Sequence, residues 1–170
     1  MSNAGIRIEL LLQKESWSKA RKVIRRELAK RPKSHWLLTR LSSTYYEERR
    51  YKTALKYVKK ARKIAPKCPL VIWDYACTLG MIGHHKNAIA LFKMLISRGE
   101  RSIAFDECGE GIRWAKSLLN DCRYWIGISY RSLGDERQAR SFIRMHLRRR
   151  KSGLPSLYNA RSIRKKFPEL

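Results

Sequence analysis

The sequence predicts an all-α protein built from stacked antiparallel helix pairs, and three observations predict it. Apolar residues recur at steps of three or four, the period of one buried stripe on a helix. The pattern then repeats: after a shift of 34 residues Ala20, Ala54 and Ala88 coincide, as do Ile24, Val58 and Phe92, and Pro32 and Pro66. Before each Ala lies another apolar-periodic segment that ends in a polar turn, so one period reads helix, turn, helix. At 170 residues and 44% hydrophobic content the chain can bury a sizeable core, and residues 1–170 read as a single domain.

The first repeat spans residues 6–34. It fits the pattern only from Leu11 through Ala20, Ile24 and Pro32, so its opening helix is expected to be short. The opening "MSNAG" is given no structural weight. The second repeat, 35–68, pairs "WLLTRLSSTYYEERR" with "YKTALKYVKKARKIAP". In the latter, Tyr51, Ala54, Leu55, Val58, Ala61 and Ala65 share one face, and Lys52, Lys56, Lys59, Lys60 and Lys63 the other. Small residues on the apolar face let another backbone come close, and Pro66 ends the helix because it lacks an N–H and its ring clashes with the preceding turn. The third repeat, 69–98, joins "VIWDYACTLGMIGHH" to the helix of Ala88 and Phe92, with Glu100 where the Pro would stand.

Ala139 follows Ala88 by 51 residues, one period plus 17. The surplus falls in an insert, 99–118, whose glycines and acidic residues predict a loop, with the following helix beginning early. The last repeat, 119–151, carries Ile126, Gly127 and Tyr130 before Ala139 and Ile143. A terminal helix over 155–167, opened by Pro155 and striped by Leu157, Ala160 and Ile163, is expected to cover it, as the ends of such arrays require.

These residues give the chain a resemblance to the tetratricopeptide repeat (TPR) family, whose pattern is Trp-x₂-Leu-Gly-x₂-Tyr, then Ala-x₃-Phe, then Pro. The second repeat supplies Leu38, Leu41, Ser42, Tyr45, Ala54, Val58 and Pro66. The third supplies Ile72, Tyr75, Ala76, Leu79, Ala88 and Phe92. The last supplies Ile126, Gly127, Tyr130, Ala139 and Ile143, with Arg123 in the large apolar slot. The resemblance covers roughly residues 6–150. It implies a right-handed α-solenoid of about four units, with first helices lining a concave face and second helices forming the convex back. It also implies a non-catalytic protein-interaction scaffold that holds a peptide or partner helix in the groove.

The charge balance points to partners. Lys and Arg number 39 against 14 Asp and Glu, a formal net charge of +25. Such a field attracts acidic protein surfaces, nucleic acid or anionic membrane. Residues 14–33, 47–67 and 123–151 each hold nine basic and two acidic side chains, mostly on second helices. The predicted basic surface comprises Lys22, Arg25 and Arg26, then Lys56, Lys59 and Lys60, then Arg137, Arg144 and Arg148. Exposed helix faces are ordinarily charged, but with mixed signs that pair three or four residues apart. The bias in sign is what suggests an acidic partner, with nucleic-acid backbone binding as the alternative function.

By the family's geometry the groove is lined by Trp36, Thr39, Ser43 and Tyr46, by Leu70, Trp73 and Cys77, and by Tyr124, Ile128 and Arg131. Each large aromatic can equally be core between repeats. The Lys and Asn positions that some family members use to grip a C-terminal carboxylate are Thr39, Ser43, Asp74, Asp121 and Trp125 here. Two carboxylates there would repel such a tail. "ECGEGIR" lacks the Lys-Ser/Thr of a phosphate loop, and Cys68, Cys77, Cys108 and Cys122 do not have zinc spacing. Cys77 and Cys122 read as small core or groove residues, and His35 and His146 show no evident carboxylate partner. No catalytic residue, metal ligand or cofactor is expected. With no secretory signal or membrane-length apolar run, reduced thiols and a cytoplasmic location are expected.

Overall fold

A computed structural model of the chain describes residues 3–169. Among them are nine α-helices and no strand: α1 (Asn3–Gln13), α2 (Trp17–Lys30), α3 (His35–Glu47), α4 (Tyr51–Ile64), α5 (Pro69–Met81), α6 (His85–Ala104), α7 (Ile112–Ser132), α8 (Glu136–Lys151) and α9 (Ala160–Lys166). The helices group into two compact units, residues 1–82 with α1–α5 and residues 83–170 with α6–α9. The division falls inside the third repeat. No described helix is long and apolar enough to cross a membrane.

Local chemistry starts and stops the helices where the repeat expects. The Ser34 hydroxyl accepts from Leu37 N at 3.3 Å to open α3, and the Asp135 carboxylate accepts from Gln138 N at 3.0 Å to open α8. Each satisfies an amide with no partner inside the helix. Pro69 sits at the first turn of α5, where its missing N–H costs nothing. The turn inside each repeat places one residue in the left-handed region: Glu15 (φ 52°), Arg49 (φ 59°), Gly83 (φ 87°) and Gly134 (φ 81°). Their spacings of 34, 34 and 51 reproduce the repeat in the backbone itself. Glycine adopts that conformation freely, whereas Glu15 and Arg49 accept a strain of about 1–2 kcal/mol. The surrounding packing holds them there.

In the first unit consecutive helices pack in sequence, and the first helices α3 and α5 also touch. Ile8, Ala20, Ile24, Leu37, Leu41, Tyr45 and Ala54 form one buried cluster. The Ser42 hydroxyl donates to the Ala54 carbonyl at 2.9 Å, so α3 and α4 approach to hydrogen-bond distance. In the second unit α7 packs on both α6 and α8, and Phe92 stacks on Trp125 with centroids 6.3 Å apart. Gly127, the register equivalent of Ser42, lies so close to α8 that a Cβ there would come within 2.8 Å of the Ile143 side chain and 3.1 Å of the Ala139 carbonyl. Ala20, Ala54, Ala88 and Ala139 are all fully buried, as the predicted register requires.

Three details depart from the sequence reading. α1 begins at Asn3, with Gly5 buried, so residues 3–5 carry structure; Met1 and Ser2 lie outside the described residues. The insert is not all loop: Gly99 kinks α6 (φ 79°, ψ 164°), residues 100–104 continue as helix, and α7 begins at Ile112. The terminal helix starts at Ala160 rather than Pro155. Asn159 Oδ1 accepts from Arg161 N at 2.8 Å, which makes Asn159 the cap, and residues 153–159 run irregularly before it.

Close approach at Ala54 has a measurable consequence. Ala54→Leu should cost about 1–3 kcal/mol by overpacking, whereas Lys56→Leu two residues on, where the side chain is exposed, should change stability by less than about 0.5 kcal/mol. Urea denaturation of both variants checks this.

Candidate functional site

The first-helix face of the first unit is built from α3 and α5. Trp36, Ser43 and Tyr46 of α3 and Leu70 of α5 are half-buried. Trp73 and Cys77 are buried at 7% and 6% exposure, and Thr39 at 3%, where its hydroxyl donates to the His35 carbonyl at 2.7 Å. The seven predicted positions therefore divide. Trp36, Ser43, Tyr46 and Leu70 present accessible surface, whereas Thr39, Trp73 and Cys77 support it from below.

Charge on this face is ordered. Arg40 stacks over Trp36 with its guanidinium 5.4 Å from the ring centroid and donates to Glu9 at 2.6 Å. That pair pins α3 to α1 and holds the indole flat against a cation. Tyr46 lies edge-on to Tyr51 at 5.3 Å, and burial raises its phenol above the ordinary value. Asp74 has one carboxylate oxygen, Oδ2, that is buried without a hydrogen-bond partner. Burial pushes its carboxyl up to about 7, with Arg40 opposing the shift and Glu47 adding to it. The face thus offers aromatic surface and a reluctant carboxylate, with no unpaired cation placed to receive a terminal carboxylate.

The corresponding face in the second unit is already covered. Tyr124, Ile128 and Arg131 of α7 were expected to line the groove; residues 155–167 of the chain itself lie against Tyr124 and Arg131, whereas Ile128 stays half-buried. Tyr158 stacks on Tyr124 with centroids 4.1 Å apart and its hydroxyl accepts from Trp125 Nε1. The Ser156 hydroxyl and Leu157 N donate to the two oxygens of Asp121 at 2.5 and 3.0 Å, and Ser117 donates to the Pro155 carbonyl at 2.9 Å. Arg131 donates to the Lys166 carbonyl and lies over the Phe167 ring. Arg150 of α8 closes the segment from its other side by donating to the Tyr158 carbonyl.

Below this strap is a polar cluster that sequence patterning missed. His146, fully buried, donates from Nδ1 to the Asn120 carbonyl at 3.0 Å and lies 3.9 Å from Asp121 Oδ1. Asn120 Nδ2 returns a bond to the His146 carbonyl at 3.2 Å. Burial raises the Asp121 carboxyl, against the donors Ser156 and Leu157. It lowers the His146 imidazole, against its bond to Asn120. Neutral imidazole is therefore the favoured form, and the cluster holds α7, α8 and the strap together. His146 thus has a carboxylate neighbour after all; the two lie 25 positions apart on different helices, outside any local motif.

The predicted basic positions are on the surface. Lys22, Arg25 and Arg26 of α2, Lys56, Lys59 and Lys60 of α4, and Arg137, Arg144 and Arg148 of α8 are all exposed. Among the described residues Arg25 alone of these has a polar side-chain partner, donating to Tyr45 Oη at 2.6 Å. In the insert, Asp106 is tied to Arg98 at 2.6 Å, so "DECGE" is in part an internal ion pair. Among the described residues no cysteine forms a disulfide, and Cys122 is fully buried.

No family model and no curated protein matches the chain. Solved structures do. The chain is 18% identical to the structure "MamA MSR-1 C2", with a TM-score of 0.60 over 84% of this chain and 72% of that one. Against a MamA structure from AMB-1 it is 20% identical, with a TM-score of 0.56 over 81% of this chain and 66% of the other. Against MamA residues 41 to the end from Desulfovibrio magneticus RS-1 it is 13% identical, with a TM-score of 0.52 over 88% of this chain and 94% of that one. MamA is a TPR-fold protein, and the chain has that fold, the all-α stack of antiparallel helix pairs found in TPR-type solenoids.

Two measurements check the electrostatics and the strap. Asp74 in the folded protein keeps its proton from its ordinary value of 3.8 up to about 7, a range in which the unfolded chain has lost it. Its contribution to stability therefore falls as pH rises through that window, by at most about 1.4 kcal/mol per pH unit. Asp74→Asn should stabilise the protein by an amount that grows up to neutral pH and then levels off, read as Tm at a series of pH values. Tyr158→Ala should expose Trp125, red-shift its fluorescence and cost about 2 kcal/mol. Proteolysis should then cut within 152–159 faster than in the unaltered chain.

Proposed function

We propose that the protein is a non-catalytic interaction scaffold whose first unit holds an extended peptide or a partner helix against α3 and α5. The observation that carries this reading is the contrast between the two equivalent faces. On the α7 face Tyr124 is buried beneath Tyr158 of the chain's own strap, whereas the α3–α5 face keeps Trp36, Ser43, Tyr46 and Leu70 half-exposed. Rigid aromatic side chains contribute large contact area at low conformational cost, which suits them as anchors. The fold supports the same reading, since stacked helix pairs present such faces as continuous surfaces.

The chemistry of the face narrows the partner. Asp74 and the exposed Glu47 close to it disfavour a C-terminal carboxylate. An internal segment of a chain is the better occupant, contributing an apolar residue over Trp36 and Tyr46. The net charge of +25 draws an acidic partner towards the scaffold and raises the association rate at low salt. The aromatic face then supplies the part of the affinity that salt does not screen.

Affinity capture with nuclease treatment, at low and physiological salt, tests this. The unaltered chain should retain a protein that survives nuclease. Trp36→Ala and Ser43→Glu should each weaken its retention by at least about tenfold, with unchanged circular dichroism. If both variants capture it as well as the unaltered chain does, the α3–α5 face is not the site.

A further inference from the structure

Helix α8 carries a second surface of a different kind. Arg137, Arg140, Arg144 and Arg148 follow one another at steps of three, four and four, which puts them on one face of the helix. At ~1.5 Å rise per residue the row extends roughly 16 Å. The four guanidinium groups border a shallow groove completed by Ser141 and Met145. The opposite face of α8, with Ala139, Ile143, His146 and Leu147, is buried. Arg137, Arg144 and Arg148 are exposed and Arg140 is half-buried.

The fold makes no use of the charge on these arginines. Among the described residues none of the four forms an ion pair, although their neighbours do: Arg149 reaches Glu100 at 3.3 Å and Arg131 reaches Glu136 at 3.6 Å. Arg150 spends its donors on the carbonyls of the strap. Like charges three and four residues apart on a helix repel by about 0.2–0.5 kcal/mol per pair. The row is thus a small liability to α8 with no offset inside the protein.

We propose that the α8 arginine row is a binding site for the phosphate backbone of duplex nucleic acid, read without regard to sequence. Guanidinium forks match phosphate oxygens two at a time, and the Ser141 hydroxyl adds a neutral donor of the kind that also contacts phosphates. The groove's other components decide between polyanions. A membrane-docking helix needs exposed large apolar or aromatic residues beside its cations, and a protein interface needs an apolar centre. This groove offers Met145 alone, 38% exposed. Unpaired strands are held by free aromatic faces. Phe142, the one aromatic on α8, is half-buried and stacked on Tyr130 at 5.8 Å. Affinity carried by charge and hydrogen bonds, with nothing positioned to reach a base edge, is how a duplex backbone is held.

The test is fluorescence anisotropy of the full chain with a labelled duplex of mixed sequence across a salt series. The expected slope of log affinity against log salt includes about −0.9 for each phosphate engaged. Replacing Arg137, Arg140, Arg144 and Arg148 together by Gln should flatten the slope by about 3–4 and weaken binding on the order of 100-fold at low salt, whereas Arg144→Gln alone should flatten it by about 1. Circular dichroism confirms that each variant is folded. Lys56→Gln, Lys59→Gln and Lys60→Gln combined should have a clearly smaller effect; an equal loss would mean that only overall charge matters and would overturn the site. The proposal also fails if polyglutamate of matching charge, anionic vesicles or a single strand binds as tightly as the duplex. The row belongs to a different unit from the α3–α5 face, and the quadruple variant should leave protein capture at that face unchanged, so either reading can fail alone.

Discussion

The close approach of paired helices, at Ser42 in the second repeat and at Gly127 in the last, governs the rest of this structure. Ser42 bonds the Ala54 carbonyl at 2.9 Å, and Gly127 sits where any Cβ would press on Ile143 and the Ala139 carbonyl. A larger residue on either helix would force the pair apart. The distance in turn sets where the turn residue falls, which explains why Glu15 and Arg49 tolerate a left-handed backbone at φ 52° and 59° where their equivalents are Gly83 and Gly134. Relaxing that strain would move one helix of the pair relative to the other and open the contact beneath it. Packing of fully buried side chains such as Leu41 and Ile143 outweighs about 1–2 kcal/mol of local backbone cost.

Periodicity made most of this legible in the sequence, because a helix that buries one stripe must repeat it every three or four residues, and a stack must repeat it every 34. The four alanines, the pairing of helices and the outward cationic face all follow from that arithmetic. Features formed once leave no such trace. The strap at 155–158 is held by Asp121, Ser156, Tyr124 and Tyr158, which meet across more than 30 positions of sequence. Nothing periodic links them. The nearest local signal was Asn159, a strong helix cap, which places the start of α9 after Tyr158 and leaves "LPSLY" outside it. On α3 and α5 the sequence correctly supplied a face but could not say which of its aromatics lay beneath the surface. Trp36 is the second residue of α3 and remains half-exposed, whereas Trp73 is the fifth of α5 and is buried.

The buried polar cluster follows a logic opposite to that of the alanine contacts. Apolar packing tolerates approximate fit, whereas a buried carboxylate without donors costs several kcal/mol. Asp121 is 2% exposed, and its two oxygens take their donors from Ser156 and Leu157. The strap is therefore the element that makes this carboxylate tolerable inside the second unit, and the carboxylate in turn selects where the strap lies. Covering Tyr124 is a consequence of that exchange. The face expected to receive a ligand is occupied at Tyr124 because residues 155–158, drawn to Asp121, bring Tyr158 onto that ring.

The same accounting explains the surface charge. Acidic side chains are few, and the fold consumes many of them. Glu9, Glu27, Glu48, Glu100 and Asp106 are engaged in ion pairs, Asp135 caps α8, and Asp121 lies in the core. Each pair also consumes a cation, but cations outnumber acids by 39 to 14, so pairing leaves the excess concentrated at the surface. Exposed charges interact across roughly a Debye length of 8–10 Å at physiological salt, which spans neighbouring turns of α8. Its four unpaired arginines therefore act on an approaching anion together rather than singly. The mutual repulsion that makes the row costly in isolation is the energy an incoming phosphate chain would relieve.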